Sequence, residues 1–211
     1  MPIRFLPLKF LNLKMILDVD PRAKALIFDF DGTLANSLPV HMECWEIVCE
    51  KFDFHFSREV MLEMTGMPTL KFAEYVKEQS GCSYKPEEIA KMKQDEFIKR
   101  VDQVTLFDPV FALVFKYHHK IPMAIGTGGS RKSVELMLDW LGIRDYFDYI
   151  VTANDVKNHK PEPDTFLECS RKMGIEPEYC EVFEDGDMGI RAAQSAGMIV
   201  TDVRPYVGHP I

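Results

Sequence analysis

The stretch "IFDFDGTLANS", Ile27 to Ser37, sets two aspartates one residue apart directly behind an apolar run. Three later stretches carry groups that could join them: Thr127, Gly128 and Gly129 in "GTGGS", Lys160 in "HKPEPD", and Glu184 with Asp185 in "FEDGD". Each has an ordinary structural explanation when taken alone. Asp-Gly is turn chemistry, a loop lysine is usually solvated, and acidic residues suit a helix N-terminus. Together they are a set that can run phosphoryl transfer. A carboxylate attacks phosphorus to give an aspartyl-phosphate that water then hydrolyses, and Asp29 is the candidate nucleophile. Alternation along an extended segment turns Asp31 in a related direction while Phe30 points away, so Asp31 can protonate the leaving oxygen and later deprotonate water. Carboxylates and a phosphate repel one another unless cations intervene. Magnesium is therefore the expected cofactor, held by Asp29, the Asp31 carbonyl and Asp185, with Glu184 close by. Lys160, the Thr127 hydroxyl and the amides around Gly128 would hold the phosphoryl oxygens.

Such a set must be carried by rigid elements that end at one place. From Lys24 onward, short apolar runs alternate with segments of helical periodicity, the pattern of a parallel sheet flanked by helices. Strands are expected at 24–28, 122–126, 149–152, 180–184 and 198–203. Between the second and third, Val134, Met137, Leu138 and Leu141 are spaced as one helical face, and Gly142 is placed to end that helix. Gly174 and Gly197 close two more segments in the same way. Ligands of open parallel sheets bind beyond the C-terminal strand ends, and the chemical residues follow the first four strands in order.

Residues 38–106 break the rhythm with consecutive helical segments and no convincing buried strand. Pro39, Pro68 and Pro86 are each expected in a first helical turn, and Asp108 is expected to cap the helix that resumes the core. The fold class is thus α/β, a parallel sheet flanked by helices with an inserted all-helical segment. Its parts are an N-terminal extension over 1–22, a core over 23–37 and 107–211, and a cap over 38–106.

The chain has 211 residues, 46% of them hydrophobic and 27% charged, a composition that suits a globular protein with one substantial core. A net charge of -8 argues against nucleic acid or an anionic membrane as partner, because both require a cationic surface. A small phosphorylated metabolite is the expected partner, bound by a monomer or weak dimer. Five widely spaced cysteines without a CxxC pair point to reduced thiols in a cytoplasmic protein. The apolar and basic opening "MPIRFLPLKFLNLKMIL" is broken by Arg4, Lys9, Lys14 and two prolines, so a poorly ordered or loosely docked extension is expected rather than a targeting segment. Met15 is an alternative start.

"DFDGT", "GTGGS", "KPEPD" and "FEDGDMGIRAAQSAGM" resemble the four motifs of the haloacid dehalogenase superfamily, over nearly the whole chain from Ala25 to Val203. That resemblance implies a Rossmann-like α/β core with a mobile helical C1 cap inserted after the first motif, and it implies the same roles for Asp29, Asp31, Thr127, Lys160, Glu184 and Asp185. Within the superfamily the chain resembles the fructose-1-phosphate phosphatase and beta-phosphoglucomutase group. Relatives usually read DGTxxDTEPxH where this chain has "DGTLANSLPVH", so Asn36 stands for an aspartate and Leu38 for a glutamate, and Asn36, beside the first motif where the cap hinge and substrate would meet, is a candidate substrate residue. Gly186 and Asp187 depart from the usual Glu-Asp-Ser pattern in the fourth motif. "EMTGMPTLKF" is similar to the family's substrate-specificity loop, which makes Gly66 and Lys71 candidate substrate contacts, with packing residues at Met64 and Met67 and a solvated helix residue at Lys71 as the alternative. His41, on the first cap helix, is a further candidate, and an ordinary half-buried histidine is its alternative.

The expected function is a magnesium-dependent phosphatase acting on a small sugar phosphate. A sugar phosphomutase using the same aspartyl-phosphate is the nearest rival. A catalytically dead binding protein on this fold, and dehalogenase or phosphonate chemistry, stand further off, because Asp31 has no place in the dehalogenase reaction.

Overall fold

The computed structural model describes residues 17–57, 60 and 67–208. Five parallel strands form one sheet: β1 (Ala25–Phe28), β4 (Met123–Gly126), β5 (Tyr149–Val151), β6 (Cys180–Glu184) and β7 (Ile199–Asp202), in the spatial order β5-β4-β1-β6-β7. The register places Ile27 opposite both Ala124 and Val182. β1 is the central strand and is wholly buried, which explains its unbroken apolar run.

Because successive strand residues point to opposite faces, Leu26 and Phe28 join one apolar cluster while Ala25 and Ile27 join another. The first cluster is closed by α4 (Asp108–Tyr117), α5 (Arg131–Leu141) and the short α8 (Arg204–Val207). The second is closed by α6 (Asp164–Met173) and α7 (Asp187–Ser195). The result is a three-layer sandwich whose centre holds Phe28 stacked on Phe183 with ring centroids 4.9 Å apart. Gly142 and Gly174 end α5 and α6 in the left-handed conformation, as their positions predicted.

The helical insertion has its own core. Helices α1 (Leu38–Glu50), α2 (Thr69–Ser80) and α3 (Pro86–Ile98) bury Trp45, Val48, Phe72, Val76 and Ile89 against one another. Trp45 meets the edge of Phe72 at a centroid separation of 4.4 Å. This separate apolar cluster gives the helices a core of their own, while Val40 and Cys44 of α1 and Phe97 of α3 pack into the cluster of the sheet layer.

The chain leaves the sheet layer and returns to it through a two-stranded antiparallel ribbon, β2 (Ala35–Asn36) with β3 (Thr105–Leu106). Strands this short carry no periodicity, and the ribbon was not expected from the sequence. Two helix starts also differ from expectation. Pro68 precedes α2 as its N-cap, and Asp108 is the first residue of α4, with Phe107 in the cap position and no side-chain cap bond.

Of the extension expected over 1–22, residues 1–16, Met15 included, lie outside the described residues. Residues 17–22 pack on the core. Leu17 is buried in the first cluster, Asp18 pairs with Lys116 at 2.8 Å, and the Asp20 amide donates to Glu181 Oε2 at 2.8 Å. Among the described residues, no helix is long and apolar enough to cross a membrane.

Candidate active site

At the C-terminal rim of the sheet, Asp29 leaves β1, Thr127 leaves β4, and Glu184 and Asp185 straddle the end of β6. Lys160 enters from the loop between β5 and α6. All of them line one cavity with Asp31, Gly128 and His41. The chain order of the motifs thus becomes a ring around a single point.

Lys160 is the hub. Its ammonium donates to Asp29 Oδ1 at 2.6 Å and to Glu184 Oε2 at 2.7 Å, and its side chain is only 3% exposed. Burial would lower the Lys160 pKa, but the charges of Asp29 and Glu184 outweigh it and raise it above the ordinary lysine value. Glu184 Oε1 accepts from the Asp185 and Gly186 amides at 3.2 and 2.9 Å. Both of its oxygens are therefore engaged, and Glu184 acts as a brace for Lys160.

Asp29, Glu184 and Asp185 are all buried, and each offers an oxygen within 4.8 Å of the others. Three carboxylates face one ammonium. Burial and the neighbouring Glu184 push the Asp29 carboxyl well above its ordinary value, and the same two causes raise Asp185 to about 7. An all-oxygen, over-acidic, buried donor set is what a hard divalent cation requires, so these residues fit magnesium. Thr33 Oγ1 orients Asp185 by donating to its Oδ1 at 2.7 Å.

Two glycines are required by this crowding. Gly32 has φ +93, and a Cβ there would overlap the Asp185 carboxylate; a Cβ on Gly189 would overlap that of Glu184. Gly32→Ala is therefore expected to cost about 1–3 kcal/mol in thermal unfolding, from the strained φ alone, and to weaken divalent-cation binding by displacing Asp185. Wild-type stability in this variant would refute the close approach.

Asp31 is held apart from the three-carboxylate group. Its Oδ1 accepts from Ser37 Oγ at 2.5 Å and lies 3.1 Å from His41 Nε2. Burial would raise its carboxyl, but the hydrogen bonds of His41 and Ser37 outweigh it and hold it below its ordinary value. The other His41 nitrogen, Nδ1, lies 2.6 Å from the Lys93 ammonium. Burial lowers Lys93 to about 8, and its side chain faces the same cavity.

Thr127 Oγ1 accepts from the Gly129 amide at 3.0 Å, which shapes the turn around Gly128. A Cβ on Gly129 would stand 3.1 Å from Asp31 Oδ2, so the turn packs directly against that carboxylate.

Three sequence expectations fall away from the cavity or outside the described residues. Lys71 is exposed and pairs with Glu74 at 2.9 Å, so it does not reach the site. Asn36 sits in β2 opposite Thr105 and is not among the cavity-lining residues described. Gly66 lies outside the described residues. Conversely, Lys93, Trp45, Phe72, Ser130 and Ser133 line the cavity unforeseen, and Leu38 lines it at a position flagged only for its departure from the family pattern. Lys93 left a legible trace: it lies midway between Ile89 and Phe97 at four-residue spacing, a charge on the buried stripe of α3.

The family haloacid dehalogenase-like hydrolase matches residues 26–203. The fructose-1-phosphate phosphatase YqaB of Escherichia coli (strain K12) is 38% identical over 187 residues, covering 87% of this chain and 97% of that protein. Beta-phosphoglucomutase of Bacillus subtilis (strain 168) is 27% identical, covering 88% of this chain and 86% of the relative. Among solved structures, CbbY from Rhodobacter sphaeroides in complex with phosphate superposes with a TM-score of 0.76 at 25% identity, over 85% of this chain and 86% of that one.

Proposed function

The chain belongs to the haloacid dehalogenase-like hydrolase family, and from that premise we propose that it is a phosphatase that hydrolyses a small sugar phosphate through an aspartyl-phosphate on Asp29. The observation that carries this reading is the buried Lys160 bridging Asp29 and Glu184 beside a separately held Asp31. One carboxylate is fixed for attack, and a second stands two residues away for proton transfer.

In the first half-reaction an Asp29 oxygen bonds to phosphorus while the bond from phosphorus to the sugar oxygen breaks. Lys160 fixes the other Asp29 oxygen, and Thr127 with the Gly128 turn receives the phosphoryl oxygens. Asp31 gives its proton to the departing sugar oxygen. A phosphate dianion alongside supplies the like charge that keeps that proton on Asp31 beforehand. In the second half-reaction Asp31 takes a proton from water as the water oxygen bonds to phosphorus. The Asp29–phosphorus bond breaks, returning the Asp29 carboxylate and inorganic phosphate. Magnesium would be held by Asp29, Asp185 and the Asp31 carbonyl, and supplies charge that screens the carboxylates and the phosphate from one another.

Two features favour hydrolysis over the mutase reaction. A mutase must hold two phosphate groups in one cavity, and among the described lining residues only Lys160 and Lys93 carry ammonium groups. Lys160 is committed to Asp29 and Glu184. The relative at 38% identity is a phosphatase, while the mutase relative stands at 27%.

The test is phosphate release from hexose, pentose, triose and nucleotide monophosphates with magnesium and no bisphosphate activator. Release from at least one sugar phosphate is expected. Isomerised product with negligible phosphate favours the mutase, and no turnover across the panel favours a binding protein.

Metal occupancy has its own expectation. With magnesium at about a hundredfold above its Kd, linkage raises stability by about 2.7 kcal/mol, or about 5–10 °C in unfolding temperature for a chain of this size. Asp185→Asn should abolish that shift, and a shift that survives in the variant would place the cation elsewhere.

A further inference from the structure

The helical insertion touches the sheet layer on two flanks of the cavity. On one flank, His41 of α1 meets Asp31. On the other, Ser133 of α5 donates its hydroxyl to Gln94 Oε1 of α3 at 2.9 Å. Ser133 Oγ also lies 2.9 Å from Ser130 Oγ, and Ser130 accepts from the Ser133 amide as the cap of α5. Ser130 directly follows Thr127, Gly128 and Gly129, so the chain of contacts runs from the helical insertion to the turn assigned to the phosphoryl oxygens.

We infer that Gln94 and Ser133 form a latch that holds the helical insertion closed over the cavity and thereby positions Lys93 and His41 against Asp31. Gln94 is the next residue after Lys93 on α3, so anything that seats Gln94 on α5 also seats the Lys93 ammonium beside His41. Other attachments are the His41–Asp31 contact, the two-residue ribbon of β2 and β3, and the packing of Val40, Cys44 and Phe97 into the apolar cluster of the sheet layer. The ribbon with that packing serves as the hinge about which the insertion swings when the latch is undone. Gln94 Nε2 is buried with no hydrogen-bond partner among the described residues. A buried donor left unpaired offsets part of what the Ser133 bond contributes, so the closed state is held lightly enough to release product. The latch residues are positioning residues: they act through α3 on the groups that meet substrate.

Trp45 reports the state of the cavity. It lines the cavity from α1 and is 4% exposed, whereas Trp140, the other tryptophan, is 51% exposed on α5. In a Trp140→Phe background, acrylamide quenching of Trp45 follows opening without any substrate. Gln94→Ala and Ser133→Ala should each raise the quenching constant about twofold or more, and the double variant should rise no further than either single, because both remove one contact. Gln94→Glu, which keeps an acceptor oxygen for Ser133, should return quenching toward the wild-type value.

The kinetic arm rests on the phosphatase reading. On the best phosphomonoester, the Ala variants should lose about tenfold in kcat/KM, mainly through KM. Unchanged quenching in either single variant, or independent addition in the double, overturns the latch. If the wild-type chain hydrolyses no phosphomonoester, the phosphatase reading fails while the quenching result stands on its own. Ser133→Ala tests the contact from the sheet layer should Gln94→Ala fold poorly.

Discussion

Asp29→Asn is expected to abolish phosphate release, by at least about 10⁴-fold in kcat, while leaving the protein folded. The amide keeps the shape of the side chain and an oxygen to accept from Lys160, which donates to Asp29 Oδ1 at 2.6 Å. What it loses is the electron pair that forms the bond to phosphorus. The same substitution removes one of three buried carboxylates that face a single ammonium. Burial and Glu184 already push the Asp29 carboxyl well above its ordinary value, so the folded state holds that charge unwillingly. A group raised in this way detracts from stability once the pH exceeds its unfolded value. Without magnesium at neutral pH the variant should therefore unfold at a higher temperature than the wild type, and with magnesium the difference should shrink. An inactive variant that also unfolds at a lower temperature would mean that Asp29 is a structural partner of Lys160 rather than a destabilised reactive group.

Lys160→Met should act in the opposite direction on stability. Methionine has similar length and no charge, so it leaves Asp29, Glu184 and Asp185 buried together with their ammonium gone. Breaking a buried ion pair by removing one partner costs about 3–5 kcal/mol, because the remaining charges are uncompensated. Here two carboxylates lose a direct partner at once, at 2.6 and 2.7 Å. Chemical denaturation without magnesium should report a loss in that range, and magnesium should recover part of it by taking over the neutralisation. Phosphate release should fall by at least about 10³-fold, since charge on the transferring oxygens loses its fixed cation. A variant of wild-type stability would show that Lys160 is not the counter-ion of the cluster.

Much of the sheet was legible because a buried parallel strand must be an unbroken apolar run. The β6 run was bounded correctly at both ends, and the expected β1, β4, β5 and β7 runs differ from the observed strands by one residue at one or both ends. The helix stops at Gly142 and Gly174 were legible for a different reason, since a left-handed residue strongly favours glycine. The chemical residues could be placed together because each follows a strand, and the strand-end rule turns chain order into proximity.

What escaped detection depends on packing between elements distant in sequence. Lys93 interrupts an apolar stripe, which marks it as odd, but nothing local shows that its ammonium reaches His41 across the insertion. Gln94 and Ser133 are ordinary residues for helices, and their meeting exists only in the assembled molecule. The ribbon of β2 and β3 is too short for any period to show. Lys71 misled because its likeness to a family loop says nothing of which way a helix face turns, and α2 turns it to solvent beside Glu74.

The reaction proposed here requires a covalent bond between Asp29 and phosphorus, and trapping that bond tests it most directly. The wild-type chain, mixed with its best phosphomonoester and magnesium, is quenched in acid within one turnover and treated with borohydride, which reduces an acyl phosphate to the alcohol. Peptide mass analysis should then find Asp29 converted to homoserine, with the conversion absent when substrate is omitted. Conversion at another carboxylate, or full turnover with Asp29 unmodified at every quench time, would contradict the assignment.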